Sequence, residues 1–396
     1  MKRLIFLVDM NAFFMGCEMS RNPELKGKPA AVAGDPKKRS GIILAANYEA
    51  RKYNVRTTMV LHEAKKLCPD IILIPPDHEF YEKVSREVMK LLARYTPLIQ
   101  QNSIDEAWMD LTGCERLFGS PIQIARNIMD RIQKELDLWC SIGISENKFL
   151  AKMASELKKP LGITELYIKD IEEKLWPLPV GAMYGIGKQT EKKLNELAIY
   201  KIGDIARCDT ELLRKTFGKY GEELYKLANG QDNSPVVQNP EYDSKSISRS
   251  TTLPIDTNDL EYLKTILLHL SEEVGYDARK YGYKGKTVTI TIKYADFTSI
   301  TRQKTVPLTF LTKDIYETGV KLLEENRGRN KPIRLIGIGL SHFAEEATGQ
   351  ISIFEMLGEN SDSQKEEAIE KAIDKLRERF GTKKIIRASM LKKGKD

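Results

Sequence analysis

The spacing of apolar positions changes several times along this chain. Residues 3–9, RLIFLVD, read as a strand whose apolar run stops at a single acid, Asp9. From Asn11 to Met19 the apolar residues recur at helical spacing. A further strand is predicted near 28–34, and 41–55, GIILAANYEARKYNV, reads as helix because Ala, Glu and Arg favour it. Amphipathic helices are expected over 79–95 and 120–138, with SIDEAWMD as a strand between them and WCSIGIS as a strand after them. That order gives an α+β fold rather than a regular βαβ repeat.

From about 166 to 230 the texture turns to short helices broken by glycine. In MYGIGKQTEKKL, Gly185 and Gly187 permit a tight helix-hairpin-helix turn whose amides, with Lys188, can hold a backbone phosphate. GKYG, 218–221, suggests a second, less regular hairpin. Residues 231–243, QDNSPVVQNPEYD, read as a linker. Between 245 and 342 the order strand, helix, strand, strand, helix, strand predicts a small βαββαβ domain. In the charged tail, Ile369, Ala372, Ile373, Leu376 and Phe380 fall at helical spacing, which predicts an amphipathic helix that docks on the protein or on a partner.

Composition narrows the setting. The chain has 396 residues, with 63 Lys and Arg against 56 Asp and Glu, a net charge of +7. The excess is concentrated in 279–304, where Arg279, Lys280, Lys284, Lys286, Lys293, Arg302 and Lys304 face one acid, Asp296. Such a run is either a solvated face or a grip on a polyanion. The five cysteines are scattered, with no C-x-x-C, which points to a reducing cytosol and no structural metal. The apolar run of MKRLIFLVDM ends at Asp9, too short for a signal peptide, and no run is long enough to span a membrane.

Two adjacent acids, Asp105 and Glu106, interrupt the apolar strand SIDEAWMD, although burying unpaired charge is costly. With Asp9 at another strand end they make a hard oxygen cluster of the kind magnesium prefers when substrate phosphates complete its shell. Side chains alternate along a strand, so both acids can converge only if the pair straddles the turn into it. Spacing alone leaves a metal site and solvated strand ends on an equal footing.

Five ordered motifs, LVDMNAFFMGCEM, AANYEARKYNVR, SIDEAWMD, GISENKFLAKMASELKKP and YGIGK, resemble those of the Y-family translesion DNA polymerases of the DNA polymerase IV type, over roughly residues 1 to 356. The resemblance implies a right-hand polymerase: palm 1–10 and 79–165, fingers 11–78, helix-hairpin-helix thumb 166–230, linker 231–244, little finger 245–342, and a clamp-binding peptide with a helical tail in 343–396. It implies two Mg2+ ions held by Asp9, Asp105, Glu106 and the Met10 carbonyl, and attack of a primer 3′-hydroxyl on a deoxynucleoside triphosphate. It places Tyr48, Arg51, Lys159 and the amides around Ala12 to Phe14 on the triphosphate. Phe13 and Phe14 project about 100° apart on their helix, so one is core and the other the steric gate under the sugar; the resemblance selects Phe14.

The same resemblance puts Gly185, Gly187, Lys188, Lys284 and Lys286 on primer-template DNA. Gln350, Ile353 and Phe354 in GQISIFEM look like a sliding-clamp peptide, and the protein is expected to be a cytoplasmic monomer with no membrane contact. Three positions depart from the family pattern: Asn11 where many relatives carry Asp, Ala45 for a frequent polar residue, and PLGI (160–163) for PNGI. Two other readings stand beside the polymerase. A palm-like nucleotidyl cyclase would also use paired carboxylates, without needing the hairpin or the basic domain. A catalytically inactive relative would act as a DNA- or clamp-binding scaffold, and loss of a metal carboxylate would mark it.

Overall fold

A computed structural model describes residues 3–35, 41–238, 244–328, 331–344, 360–381 and 384–385. It divides into two compact units, residues 1–242 and 243–396. The first unit runs β1 (Ile5–Met10), α1 (Phe13–Arg21), β2 (Ala30–Ala33), β3 (Ile43–Ala46), α2 (Tyr48–Lys52), α3 (Leu61–Leu67), β4 (Ile72–Ile74) and α4 (His78–Leu92). It continues with β5 (Ile99–Gln101), β6 (Glu106–Asp110), α5 (Glu115–Phe118), α6 (Pro121–Leu136), β7 (Cys140–Ser145), α7 (Lys148–Leu157) and β8 (Ile163–Glu165).

Strands β5-β6-β1-β7-β8 form a five-stranded sheet, in that order. Alternation gives it two different faces. Phe6, Val8, Ala107, Met109, Ile142 and Ile144 join the core formed with α1, α4 and α6, whereas Ile5, Leu7 and Trp108 pack with Ala151 of α7. Helix α7 therefore lies on the face that also carries Asp9 and Glu106. A smaller sheet, β3-β2-β4, holds its own core of Ala31, Ile43, Ala50 and Val55. Here the sequence expectation is corrected: 43–46 is strand, and the helix begins only at Tyr48. The run of Ile43, Leu44, Ala45 and Ala46 pairs with β2, and Asn47 stops the strand by capping α2 through Ala50 N–H at 3.0 Å.

The glycine-rich region forms α8 (Ile171–Lys174), α9 (Lys188–Glu196), α10 (Ile202–Arg207), α11 (Thr210–Phe217) and α12 (Lys219–Ala228), packed on α7 through Phe149, Leu150 and Met153. The stretch expected as a linker is not loose over its described part. Asp232 accepts from Phe149 N–H at 3.0 Å, Arg3 donates to the Ser234 carbonyl at 2.9 Å, and Val236 enters the Trp108 cluster.

The second unit has the expected order: β9 (Ser246–Thr257), α13 (Leu260–Lys280), β10 (Gly285–Tyr294), β11 (Ser299–Thr309), α14 (Thr312–Asn326) and β12 (Ile333–Phe343). The sheet order is β11-β10-β12-β9, all antiparallel. Val288, Ile290, Ile292, Ile336 and Ile338 pack with the two helices, and the opposite face presents Ser248, Ser250, Thr289, Thr291, Gly337 and Gly339.

Helix α15 (Asn360–Phe380) closes the second unit, and its docking face is not the one that apolar spacing suggests. Its acids face inward: Arg279 pairs with Glu370 and Asp374, Lys284 with Glu367, and Lys313 with Glu366. Ile369, Leu376 and Phe380 remain exposed. A row of basic groups on the domain outweighs the apolar stripe. Lys284, expected on DNA, is thereby engaged by α15 and lies over the Phe310 ring at 4.7 Å, while Lys286 is exposed. Gln350, Ile353 and Phe354 lie outside the described residues. Among the described residues no helix is long and apolar enough to cross a membrane.

Candidate active site

Register brings the acids together. Asp9 on β1 is the direct cross-strand partner of Glu106 on antiparallel β6, so their side chains share a face. Asp105 precedes β6 and its carbonyl accepts from Met10 N–H at 2.9 Å. It thus escapes strand alternation, as the turn-straddling expectation required. Its carboxylate accepts from Ser103 Oγ at 2.5 Å, and Glu106 accepts from Asn102. Like charges directly opposite on neighbouring strands repel, and both side chains are nearly buried, at 10% and 12% exposure.

The compensating charge comes from α7, a residue that sequence reading passed over. Lys152 Nζ donates to Asp9 Oδ2 at 2.9 Å, Glu106 Oε2 at 2.6 Å and Glu156 Oε1 at 2.9 Å. Lys159 Nζ reaches the other oxygen of Asp9 at 2.8 Å and also pairs with Glu156. Burial opposes both ammonium charges, but Asp9 and the neighbouring glutamates outweigh it, so both lysines hold their protons more tightly than usual. Lys152 stands two helical turns before Lys159 in the quoted motif, a spacing that shows a shared side but not the carboxylates beneath it.

Two devices hold α7 in reach of the sheet. Asn147 caps it by accepting from Leu150 N–H at 2.8 Å, and Gly143 on β7 leaves room for its backbone. Asn11 steadies the loop after it, its side-chain carbonyl accepting from Leu161 N–H at 2.9 Å and its amide donating to Ser141 Oγ at 3.1 Å. Leu161 has φ 58°, a region where Asn is more at ease, which gives the PLGI departure a local cost.

These groups open on a cavity of about 400 Å³, lined also by Met10, Ala12, Phe13, Phe14, Ala45, Tyr48 and Arg51. Helix α1 opens at Phe13 after Ala12 in the left-handed region, with no side-chain cap, so its first amides are not taken up by a capping side chain. Phe13 is core, 4% exposed. Phe14 is half-buried and stacks on Tyr81, 4.5 Å between centroids at 16°. The Tyr81 hydroxyl donates to buried Glu18 at 2.6 Å, which Arg21 also engages. Arg51 lies over the Tyr48 ring at 4.8 Å. The Tyr48 hydroxyl is buried and has no hydrogen-bond partner among the described residues. Burial pushes its pKa up.

This donor set suits a hard divalent cation. Carboxylate and carbonyl oxygens are the hard donors such an ion prefers, and a positive charge already sits between Asp9 and Glu106. Among the described residues no three acidic, His or Cys side chains close on one point as a finished cage. Lys152 bridges Asp9 and Glu106, Lys159 reaches Asp9, and Ser103 holds Asp105.

Elsewhere in the first unit, Gly185 has φ 93°, its carbonyl accepts from Tyr220 hydroxyl at 2.7 Å, and Gly187 caps α9 without a side chain just before exposed Lys188. That leaves the α9 amides open to an anion. The GKYG stretch joins α11 to α12 through Gly218 at φ 64°.

Residues 8–156 match the impB/mucB/samB family, residues 244–353 its C-terminal domain, and residues 169–199 the family's HHH motif. The chain is 58% identical over 400 residues to DNA polymerase IV of Clostridium kluyveri, covering all of both proteins. It is 52% identical to DNA polymerase IV of Alkaliphilus oremlandii, over 99% of this chain and all of that one. Among solved structures, a Y-family DNA polymerase chimera superposes with a TM-score of 0.77 at 29% identity, over 86% of this chain and 99% of its own. The chain belongs to the impB/mucB/samB family and groups within it with the DNA polymerase IV proteins of the Y-family.

Proposed function

We propose that this protein is a template-directed, error-prone DNA polymerase of translesion synthesis, joining a deoxynucleoside triphosphate to a primer 3′-hydroxyl. The observation that carries the site assignment is the register pairing of Asp9 with Glu106, with Asp105 at the strand entrance, beside a cavity that Tyr48 and Arg51 also line. The family is metal-dependent; Asp9, Asp105, Glu106 and the Met10 carbonyl would hold two magnesium ions. Bound there, magnesium lowers the pKa of the attacking hydroxyl and neutralises charge developing on the phosphates.

The chain's own groups do the positioning. Tyr48, Arg51, Lys159 and the first amides of α1 grip the triphosphate. Phe14, braced by Tyr81, lies against the sugar and rejects a 2′-hydroxyl, while Phe13 supports it from the core. Ala45 offers no polar group there, so one nucleotide contact is apolar. The five-stranded sheet serves as palm (1–10, 79–165), the three-stranded sheet region as fingers (11–78), helices α8 to α12 as thumb (166–230) and the βαββαβ unit as little finger (245–342). Gly185, Gly187 and Lys188 hold duplex backbone. Lys286 does so in the little finger, with Lys284 joining once released from Glu367. Gln350, Ile353 and Phe354 tether the enzyme, a cytoplasmic monomer, to a sliding clamp.

Asp105→Asn and Asp9→Asn should each abolish magnesium-dependent primer extension and leave primer-template affinity within about twofold, because these acids serve chemistry more than grip. Extension by either variant under saturating magnesium would refute the assignment. Since all three carboxylates face the cavity, nothing in the geometry favours the inactive scaffold.

A further inference from the structure

We infer that Lys152 is the resident counter-cation of the carboxylate cradle: its ammonium holds Asp9 and Glu106 together in the metal-free protein and gives up that place when a divalent cation binds. The inference rests on the proposed reading of these acids as metal ligands.

Three observations lead here. First, the Asp9–Glu106 pair is a like-charge pair set directly opposite across two strands and nearly buried, an arrangement that needs a cation between its members. Second, an ammonium has three donors, and Lys152 has three acceptors, Asp9 Oδ2, Glu106 Oε2 and Glu156 Oε1. It bridges the two strands, whereas Lys159 touches Asp9 alone of that pair. Third, the group has somewhere to go. Glu156 lies one turn along the same helix and is 46% exposed, so the ammonium can leave the two strand carboxylates while keeping one partner. The helix need not move: its seat on Gly143 and its Asn147 cap fix the backbone, and only the long lysine stem turns.

Metal binding then becomes an exchange of one cation for another rather than the filling of a repulsive site. The price of keeping the cradle folded without metal is weaker apparent metal affinity, because the displaced ammonium must be compensated elsewhere.

The test uses Mn2+ as probe, with the unbound ion followed by its electron paramagnetic resonance signal and melting measured in EDTA and in Mn2+. Lys152→Met should bind Mn2+ at least roughly tenfold more tightly than the wild type. It should also melt lower in EDTA and gain more from Mn2+. Lys152→Arg, which keeps the charge, should hold the EDTA melting temperature near wild type. Asp9→Asn separates the two levels of the argument. If Asp9→Asn binds Mn2+ like the wild type, the metal-ligand reading itself fails. If Asp9→Asn loses Mn2+ but Lys152→Met neither tightens binding nor lowers the EDTA melting temperature, the ligand reading stands and the counter-cation role is overturned. A fall for Lys152→Arg as large as for Lys152→Met would make stem packing the cause and overturn it too.

Discussion

The Ala151 carbonyl occupies the space where a side chain on Gly143 would begin: an added Cβ would lie 2.0 Å from that oxygen and 2.5 Å from Ser155 N. Neither is the flexible end of a side chain, so a methyl group there must push α7 off the sheet. Because Lys152 and Lys159 reach Asp9 from α7 and the loop after it, the displacement reaches the site. Gly143→Ala should lower stability by about 1–3 kcal/mol, the usual range for overpacking. It should also reduce primer extension more than DNA binding, read by melting and by single-turnover kinetics. Wild-type extension would mean that the cradle tolerates a shifted α7.

The orphan hydroxyl of Tyr48 predicts opposite effects on stability and function. A buried donor without a partner costs about 1–3 kcal/mol, so Tyr48→Phe should raise the melting temperature of the free protein. If the hydroxyl meets a phosphate oxygen in the complex, KM for the nucleotide should rise roughly tenfold, a loss of about 1.4 kcal/mol. A stability gain with unchanged KM would remove Tyr48 from the nucleotide grip.

How far the sequence reached can be judged residue by residue. The strand ending at Asp9 and the acids straddling the start of β6 were legible because period-two alternation and local charge are written into neighbouring positions. The β3 strand was not, since Ala-rich runs suit either state and its partner β2 is not adjacent to it in sequence. Lys152 was missed for a related reason. A lysine on an amphipathic helix looks like surface until register shows two carboxylates beneath it. The docking face of α15 was misjudged because helical periodicity identifies an apolar stripe but not a row of basic groups elsewhere that competes for the acidic face.

Phe14 tests the sugar-facing wall. Its ring is held by the Tyr81 stack and by an edge contact with His78 at 5.7 Å between centroids, so it cannot swing aside cheaply to admit a 2′-hydroxyl. Phe14→Ala should lower the ratio of kcat/KM for deoxy- over ribonucleotides by roughly ten- to a hundredfold, the scale of a pocket that loses a steric contact. An unchanged ratio with a lowered melting temperature would make Phe14 purely a packing residue.

Arg279 decides whether α15 is held by charge. Its side chain is 3% exposed, with Nε and Nη2 donating to Asp374 at 2.6 and 3.0 Å, Nη1 donating to the Phe310 carbonyl at 3.0 Å, and Glu370 3.2 Å from Nη2. Arg279→Met keeps most of the stem but strips Asp374 and Glu370 of this counter-charge. Breaking a buried pair from one side typically costs about 3–5 kcal/mol, more than a single peripheral helix can absorb while staying docked. The expected result is faster hydrogen exchange across 360–380 with protection in β10 and β12 retained, because the helix can leave without unfolding the sheet. Adding Asp374→Leu to Arg279→Met should restore part of the protection, since one uncompensated charge is then replaced by apolar surface. Undiminished protection in Arg279→Met would mean that the remaining pairs, Lys284 with Glu367, Lys313 with Glu366 and Arg377 of the helix with Glu272 of α13, hold the helix without the buried arginine.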